Sequence, residues 1–237
     1  MPFLTARWCN LFLANYPVAD ALLEKRLPPG LALDRREGQA FVSLVAFQFL
    51  DTRVLGVPWP GFRDFAELNL RFYVRRGEER GVVFVREFVP QRLTAWIARV
   101  LYNEPYLAAP LMGQVREHNQ QITAEYALTF AGKQHAITVT GTKPALRPAE
   151  SSSEHWFKEH HWGYGTTRSG KLIRYQVDHP VWDVHPVVDY QIKLDWAAVY
   201  GPEWQFLQDV QPESTVFAAG SAISVFGGAV MGDSGSP

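Results

Sequence analysis

The chain has 237 residues, of which 47% are hydrophobic and 20% are charged, and its formal net charge is −1. This is the composition of an ordinary globular protein that can bury a large core, and the lack of a long basic run argues against nucleic-acid binding. A single cysteine, Cys9, and the lack of any segment near the roughly 18 apolar residues of a membrane span predict a cytoplasmic protein without an internal disulfide.

The first part of the chain alternates between predicted strands and turn residues. Residues 7–16 form a mixed apolar strand, and Asp20 is a candidate N-cap for a two-turn helix that Pro28 stops. Residues 41–50 form a long strand with apolar side chains on both faces, so we expect both faces to be covered. The loop of residues 54–64 is rich in proline, glycine and aromatic residues, and it is either a lid or a packed connector.

Residues 66–75 alternate strictly between apolar and polar side chains. The polar face carries Glu67, Asn69, Arg71 and Tyr73. This face either lies in solvent or points into a barrel and lines a pocket. Because a strand rises about 3.3 Å per residue, Glu67 and Arg71 are about 13 Å apart along it and cannot pair directly. A ligand between them would give each a partner.

The remainder of the chain is predicted to be rich in strands. A helix that begins after Pro90 carries an apolar stripe at helical spacing, and Arg99 borders this stripe. Further helices are expected at residues 153–161 and 196–201. The other segments are predicted strands: residues 81–88, 111–118, 121–130, 135–142, 171–178, 187–195 and 215–226. We therefore predict one α+β, mainly antiparallel β domain over residues 1–226, followed by a flexible tail at 227–237.

Seven motifs occur in order along the chain: NYPVAD (15–20), LPPGL (27–31), FAELNLRFYV (65–74), VVFVREFVPQR (82–92), ARVLYNEPYLAAP (98–110), EHHWGYG (159–165) and VDHPVW (177–182). Together they resemble the domain-of-unknown-function 2071 family over nearly the whole chain. That family is grouped with the acetoacetate decarboxylase-like fold. The resemblance therefore implies a β-barrel or cone of antiparallel strands around a central pocket.

Acetoacetate decarboxylases act through a lysine that forms a Schiff base, and a neighbouring cation or burial lowers the pKa of its amine. The resemblance places their Pro-Lys-Lys segment at Pro105-Tyr106-Leu107, where neither lysine is present. An early arginine of those enzymes falls at Pro17, and their glutamate corresponds to Glu67. The resemblance thus implies the fold and the pocket without the imine chemistry.

The first functional hypothesis is that the pocket binds a small organic molecule, a carboxylate or a carbonyl compound. Arg71 or Arg99 would hold an anion. Tyr106 would donate a hydrogen bond, and Glu67 would orient the ligand. The other candidate ligand contacts are Asn69, Glu104, His160, Trp162, Tyr164 and His179. No cofactor is expected, because the chain has no glycine motif for a nucleotide.

Two enzyme-like alternatives remain open. In the first, Glu67 is the general base and Tyr106 the acid for an enolisable substrate, whereas in the plainer interpretation Glu67 only pairs with an arginine. The second is a metal site, but no histidine pair has a standard zinc spacing, so none is expected. The residues considered for it are His160, His161, His179, Asp183 and His185.

The last alternative is an interaction protein. Eight tryptophans could form an exposed apolar patch, although they are as well suited to filling a core or the rim of a pocket. A homodimer through a sheet edge or a helix face is compatible with the sequence.

Overall fold

A computed structural model describes residues 1–101 and 103–231, with the side chains of residues 97–101 excepted. The strands are β1 Leu4–Val18, β2 Ala32–Leu33, β3 Ala40–Val54, β4 Phe65–Arg76, β5 Glu79–Val89, β6 Tyr106–Ala108, β7 Leu111–His118, β8 Gln121–Phe130, β9 Lys133–Thr142, β10 Trp162–Thr166, β11 Leu172–Asp178, β12 Val187–Lys193, β13 Ser214–Val225 and β14 Ala229–Val230. The helices are α1 Asp20–Glu24, α2 Arg92–Leu101, α3 Ser153–Lys158, α4 Trp196–Tyr200 and a 3-10 helix, Pro202–Asp209. No helix in the described part of the chain is long and apolar enough to cross a membrane.

Seven strands close into a barrel, in the order β4, β3, β1, β13, β11, β10 and β5, with β5 pairing back onto β4. All the pairs in this circuit are antiparallel except β5 with β10. Gly81 permits that exception, because a Cβ there would lie 2.5 Å from the carbonyl oxygen of Trp162. The closed circuit confirms the predicted barrel of mainly antiparallel strands.

A second sheet covers part of the barrel wall. It has four antiparallel strands in the order β12, β9, β8 and β7. Its buried Tyr126 and Val139 belong to the same apolar cluster as Leu44 and Leu70 of the barrel's outer face. Trp196 of α4 packs into this cluster too. The fold therefore has two cores, one between the two sheets and one inside the barrel.

Alternating side chains of β3 and β4 serve these two cores. Val42 and Leu44 face the core between the sheets, whereas Phe41 and Val45 face the barrel interior. Both faces are buried, as the apolar pattern predicts. In β4 the polar face is also buried, with Glu67 only 3% exposed. The solvent-facing interpretation of this strand is therefore wrong, and the barrel-facing one is confirmed.

The two ends of the barrel differ. At one end α3 acts as a plug, since the buried ring of Phe157 lies 5.1 Å from Phe41 and 5.6 Å from Tyr73. Ser152 begins this helix by accepting a hydrogen bond from the backbone N–H of His155. At the other end β4 begins with Phe65, directly after the aromatic loop of residues 54–64. The barrel interior is thus covered by α3 at one end and meets the aromatic loop at the other.

Some local predictions differ from the structure. Asp20 is not an N-cap: it is the first residue of α1, which has no side-chain cap, and its carboxylate pairs with Arg35 at 2.6 Å. The short strands β2, β6 and β10 were not predicted, because two to five residues carry too little alternation to be recognised. In the predicted tail, Ala229 and Val230 pair with β11, and residues 232–237 lie outside the described residues.

Candidate functional site

The barrel encloses a cavity of about 280 Å³. Its wall is mainly apolar and rich in aromatic rings, among them Trp8, Phe47, Phe49, Phe65 and Phe84. Trp59 and Phe62 from loop 54–64 and Leu93 from α2 also line it, and Trp59 and Leu93 are exposed. The aromatic loop is therefore part of the cavity and not only a connector.

One row of polar side chains crosses three neighbouring strands inside this apolar wall. Asn69 of β4 lies opposite Glu87 of β5, and Glu87 lies opposite Tyr106 of β6. Glu67 occupies the preceding inward position of β4, and Glu104 comes two residues before Tyr106. The barrel thus gathers three carboxyl groups, an amide and a phenol at one level.

Hydrogen bonds fix the central carboxyl group of this row. Tyr106 Oη donates to Glu67 Oε2 at 3.0 Å, and Asn69 Nδ2 donates to Glu67 Oε1 at 2.9 Å. Glu87 and Glu104 are also buried, at 1% and 5% exposure. Among the described residues, Oε1 of each of these two has no hydrogen-bond partner. Because a buried carboxyl oxygen without a partner is unfavourable, these atoms are suited to contact a ligand.

Burial in this row favours the uncharged carboxyl. It raises the pKa of Glu67 to about 7, although hydrogen bonds from Asn69 and Tyr106 oppose the rise. It raises the pKa of Glu104 to about 8. Burial, together with the charges of Glu67 and Glu104, raises the pKa of Glu87 well above its ordinary value. Near pH 7, Glu104 is therefore mainly protonated and Glu67 is close to the midpoint of its titration, and burial shifts Glu87 toward the protonated form.

Two tyrosines complete the row as donors. Burial and the nearby carboxyl groups raise the pKa of Tyr106 and of Tyr175 well above the usual range, so both phenols stay protonated. The ring of Tyr175 crosses the backbone of Gly163, where a Cβ would lie 2.1 Å from Tyr175 Cζ. Glycine at position 163 therefore makes room for the Tyr175 ring at the cavity wall.

A different polar group lies toward the plugged end. Arg71 Nη2 donates to the carbonyl oxygen of Phe157 in α3 at 3.1 Å. Its Nε is buried and has no hydrogen-bond partner among the described residues, and the same holds for both ring nitrogens of His160. Burial lowers the pKa of His160 to about 4, so its ring is neutral. This end of the cavity therefore presents a cation and a neutral imidazole.

Most of the predicted site residues meet in this cavity. Its lining includes Glu67, Asn69, Arg71, Glu104, Tyr106, His160 and Trp162. Tyr164 and His179 are not part of the described lining: Tyr164 Oη donates to Glu79 at 3.2 Å outside it, and the ring of His179 stacks on Trp182. A ligand in the cavity would touch neither of them. The side chain of Arg99 lies outside the described residues.

Sequence reasoning missed Glu87 and Tyr175. The cause at Glu87 is a bulge: Leu70 pairs with Arg86 and Arg71 with Phe84, so Val85 is skipped. In β5, even-numbered residues point into the barrel before the bulge and odd-numbered residues do so after it. Strict alternation from Phe84 would therefore place Glu87 on the outer face of the barrel. Tyr175 does follow alternation in β11, but a tyrosine that shares a strand face with Ile173 and Val177 resembles ordinary core.

The chemistry that the cavity lacks is that of a lysine imine. None of the chain's six lysines, all of which are described, lines the cavity. Tyr106 lines it at the position where the resemblance places a lysine of acetoacetate decarboxylases.

Comparison with known proteins agrees with the fold and the motifs. Residues 5–222 match the model of DUF2071, described as an uncharacterized conserved protein. The uncharacterized protein YqjF of Bacillus subtilis (strain 168) is 29% identical over 179 residues, which are 74% of this chain and 72% of that protein.

Two solved structures share the fold at low sequence identity. An acetoacetate decarboxylase-like enzyme from Sphingomonas wittichii RW1 has a TM-score of 0.66 at 13% identity, covering 97% of this chain and 93% of that one. The enduracididine biosynthesis enzyme MppR, complexed with pyruvate, has a TM-score of 0.68 at 13% identity, covering 99% of this chain and 93% of that one. At such identities the likeness shows the fold alone.

Proposed function

This chain belongs to the DUF2071 family, and from that premise we propose that its barrel cavity binds a small carbonyl-containing organic acid without forming a lysine imine. The observation that carries the proposal is the row of buried carboxyl and phenol groups in an otherwise apolar cavity. Oxygen atoms of Glu87 and Glu104 in this row lack partners among the described residues. A bound molecule would supply those partners.

The polar groups also indicate which ligand groups would lie where. Arg71, with its unpartnered Nε, is suited to hold a carboxylate near the plugged end. Protonated Glu104, whose Oε1 has no partner among the described residues, is a donor that a carbonyl oxygen can accept from. Tyr106 already donates to Glu67 and holds that carboxyl group in the cavity wall. The aromatic wall suits an apolar substituent that points toward Trp59. A 2-oxo acid with an apolar side chain meets these requirements, and MppR, of the same fold, is described as complexed with pyruvate.

The test is a calorimetric binding titration with phenylpyruvate as the probe. Pyruvate is titrated as a smaller analogue. We expect the wild type to bind phenylpyruvate more tightly, because its ring fills the apolar wall. Glu67→Ala and Tyr106→Ala should abolish binding and leave the melting temperature little changed. Tyr164→Phe is the matched control, since this buried tyrosine lies outside the cavity lining and should leave the affinity unchanged.

Two results would contradict the proposal. One is wild-type affinity in both Glu67→Ala and Tyr106→Ala. The other is a loss of binding in Tyr164→Phe as large as that in Tyr106→Ala, since the cavity would then not be the site.

A second candidate function is proton transfer at a carbon next to the carbonyl group. The observation that favours it is the pair of Glu67, with a pKa raised to about 7, and the Tyr106 hydroxyl 3.0 Å from its carboxylate. Glu67 would take the proton, and Tyr106 would stabilise the resulting enolate oxygen. The test is deuterium exchange at the carbon next to the carbonyl group of phenylpyruvate. The exchange rate is measured by NMR and compared with the rate in buffer alone. We expect Glu67→Gln to bind the probe yet fall to the buffer rate, and equal exchange in both proteins would exclude Glu67 as the base.

A further inference from the structure

A second cluster of chemically active side chains lies outside the cavity lining. Glu159, after α3, His161, before β10, and His179, after β11, come together there. One ligand atom from each lies within 4.8 Å of the other two. Glu159 and His161 are half-buried, and His179 is buried. The cluster thus joins two segments that are distant in sequence.

The hydrogen bonds of the two histidines show which ring nitrogen carries a proton. His161 Nδ1 lies 3.3 Å from the carbonyl oxygen of Val177, and His179 Nδ1 lies 2.9 Å from that of Pro180. A carbonyl oxygen can only accept, so each Nδ1 must carry the proton. In the neutral ring, Nε2 is then the nitrogen whose lone pair can bind a ligand. A ring whose other N–H donates to a backbone carbonyl is the usual state of a metal-binding histidine.

Stacking also holds the two histidine rings in place. The rings of His161 and His179 stack with centroids 4.5 Å apart, and His179 stacks on Trp182 at 4.1 Å. The stack therefore fixes the orientation of both ligand rings.

The third group is a carboxylate with one oxygen already held. Glu159 Oε1 accepts from the buried ammonium of Lys158 and, at 3.5 Å, from the backbone N–H of Trp182. These bonds orient the carboxylate and take none of the lone pairs of Oε2. Two imidazole nitrogens and one carboxylate oxygen are a common donor set for Zn²⁺ and related divalent ions.

We propose that Glu159, His161 and His179 form a binding site for a first-row divalent metal ion of the Zn²⁺ type. Ligand atoms on such an ion lie about 2.0–2.2 Å from it, hence about 3.0–3.5 Å from one another. Binding therefore requires only a small inward movement of the three side chains. The ion would tie the segment between α3 and β10 to the segment after β11. The site is independent of the cavity ligand, because none of the three residues lines the cavity among the described residues.

The sequence-based expectation was no metal, and of its five candidate residues only His161 and His179 meet. His160 lines the cavity, His185 Nδ1 donates to the carbonyl oxygen of Thr142 at 3.0 Å, and Asp183 pairs with Arg147 at 2.7 Å. The sequence analysis did not include Glu159. It lies two residues before His161, whereas His179 follows 18 residues after His161. No short spacing motif marks such a set.

The experiment is a titration of chelator-treated full-length protein with Co²⁺, read by its visible absorption, and with Zn²⁺ by competition. We expect saturation at one equivalent and a higher melting temperature with Zn²⁺. His161→Phe and His179→Phe keep an aromatic ring in the stack but remove the ligand nitrogen, so each should weaken binding at least about 100-fold. The exposed His118 is the control, and His118→Phe should bind like the wild type.

Each other outcome overturns the proposal. If the wild type does not saturate at one equivalent, there is no such site. If His161→Phe and His179→Phe fold and keep wild-type affinity, the metal binds elsewhere. If either variant fails to fold, Glu159→Gln is titrated in its place. Wild-type metal affinity in Glu159→Gln would also refute the proposed site. Phenylpyruvate binding should be unchanged throughout, which separates this test from that of the cavity.

Discussion

The protonated state of Glu104 can be tested through stability. In the folded protein burial raises the pKa of this carboxyl to about 8, whereas its ordinary value is 4.5. The folded state therefore holds a proton that the unfolded chain releases between these two pH values. Stability from this group is complete below about pH 4.5 and is lost as the pH rises to about 8. The direction is the opposite of that for a carboxylate in an ion pair.

The size of the effect follows from the shift. A rise from 4.5 to about 8 corresponds to about 5 kcal/mol, since one pKa unit is about 1.4 kcal/mol. Water entering the cavity would reduce this value, so it is an upper limit. For a chain of this length, 1 kcal/mol shifts the melting temperature by about 2–4 °C, so the full effect is about 10–20 °C.

The substitution is Glu104→Gln, which keeps the shape and hydrogen-bonding capacity of the protonated acid but cannot ionise. We expect the free energy of unfolding, measured in urea at several pH values, to fall less steeply between pH 5 and pH 9 in the variant than in the wild type. Glu67 and Glu87 still titrate, so some slope remains. Exposed Glu213→Gln is the control and should follow the wild type. An identical pH dependence in Glu104→Gln and the wild type would refute the argument that burial protonates Glu104.

Three further predictions concern the cavity. Gly163→Ala should destabilise the protein by about 1–3 kcal/mol in urea unfolding, because its Cβ meets the Tyr175 ring. Adding Tyr175→Ala should relieve most of this loss in the double variant. The control is Gly227→Ala, which should be neutral because nothing lies within 4 Å of its Cβ. Borohydride treatment with pyruvate should leave the intact mass unchanged, and a covalent adduct on a lysine would show that an imine does form. Arg71→Lys should weaken phenylpyruvate binding at least about 10-fold in calorimetry, because an ammonium cannot replace the two-donor guanidinium group. An unchanged affinity would show that Arg71 does not bind the carboxylate.

The sequence predicts those parts of the fold that depend on long regular patterns. The alternation in residues 66–75 predicts one polar face but leaves open whether this face meets solvent or a barrel interior, and its burial in the structure decides for the interior. Glu67, Arg71 and Tyr106 could be named because a strand face or a motif marked them. What could not be predicted was set by pairing between distant segments. The bulge at Val85 turns Glu87 inward, and no local pattern announces it.

The same reasoning explains why Tyr164 and His179 were expected in the cavity. Both belong to motifs that line it through other members, Trp162 in one case and Val177 in the other. In β10, Gly163 lies opposite Tyr175 of the cavity wall, so Trp162 and Tyr164, one residue to either side, share the other face. Tyr164 lies in β10, which was not predicted as a strand. Its side chain packs in the core between the sheets.

The most consequential feature of the cavity is that its carboxyl groups have no lysine among them. If an ammonium stood where Tyr106 stands, it would stabilise the carboxylate of Glu67 and hold its pKa low. A phenol that stays protonated can donate a hydrogen bond but brings no charge. Glu67, Glu87 and Glu104 are then buried together without enough positive charge nearby, and they take up protons instead. Under the proposed function, a site that would attack a carbonyl carbon with an amine instead donates hydrogen bonds to a carbonyl oxygen.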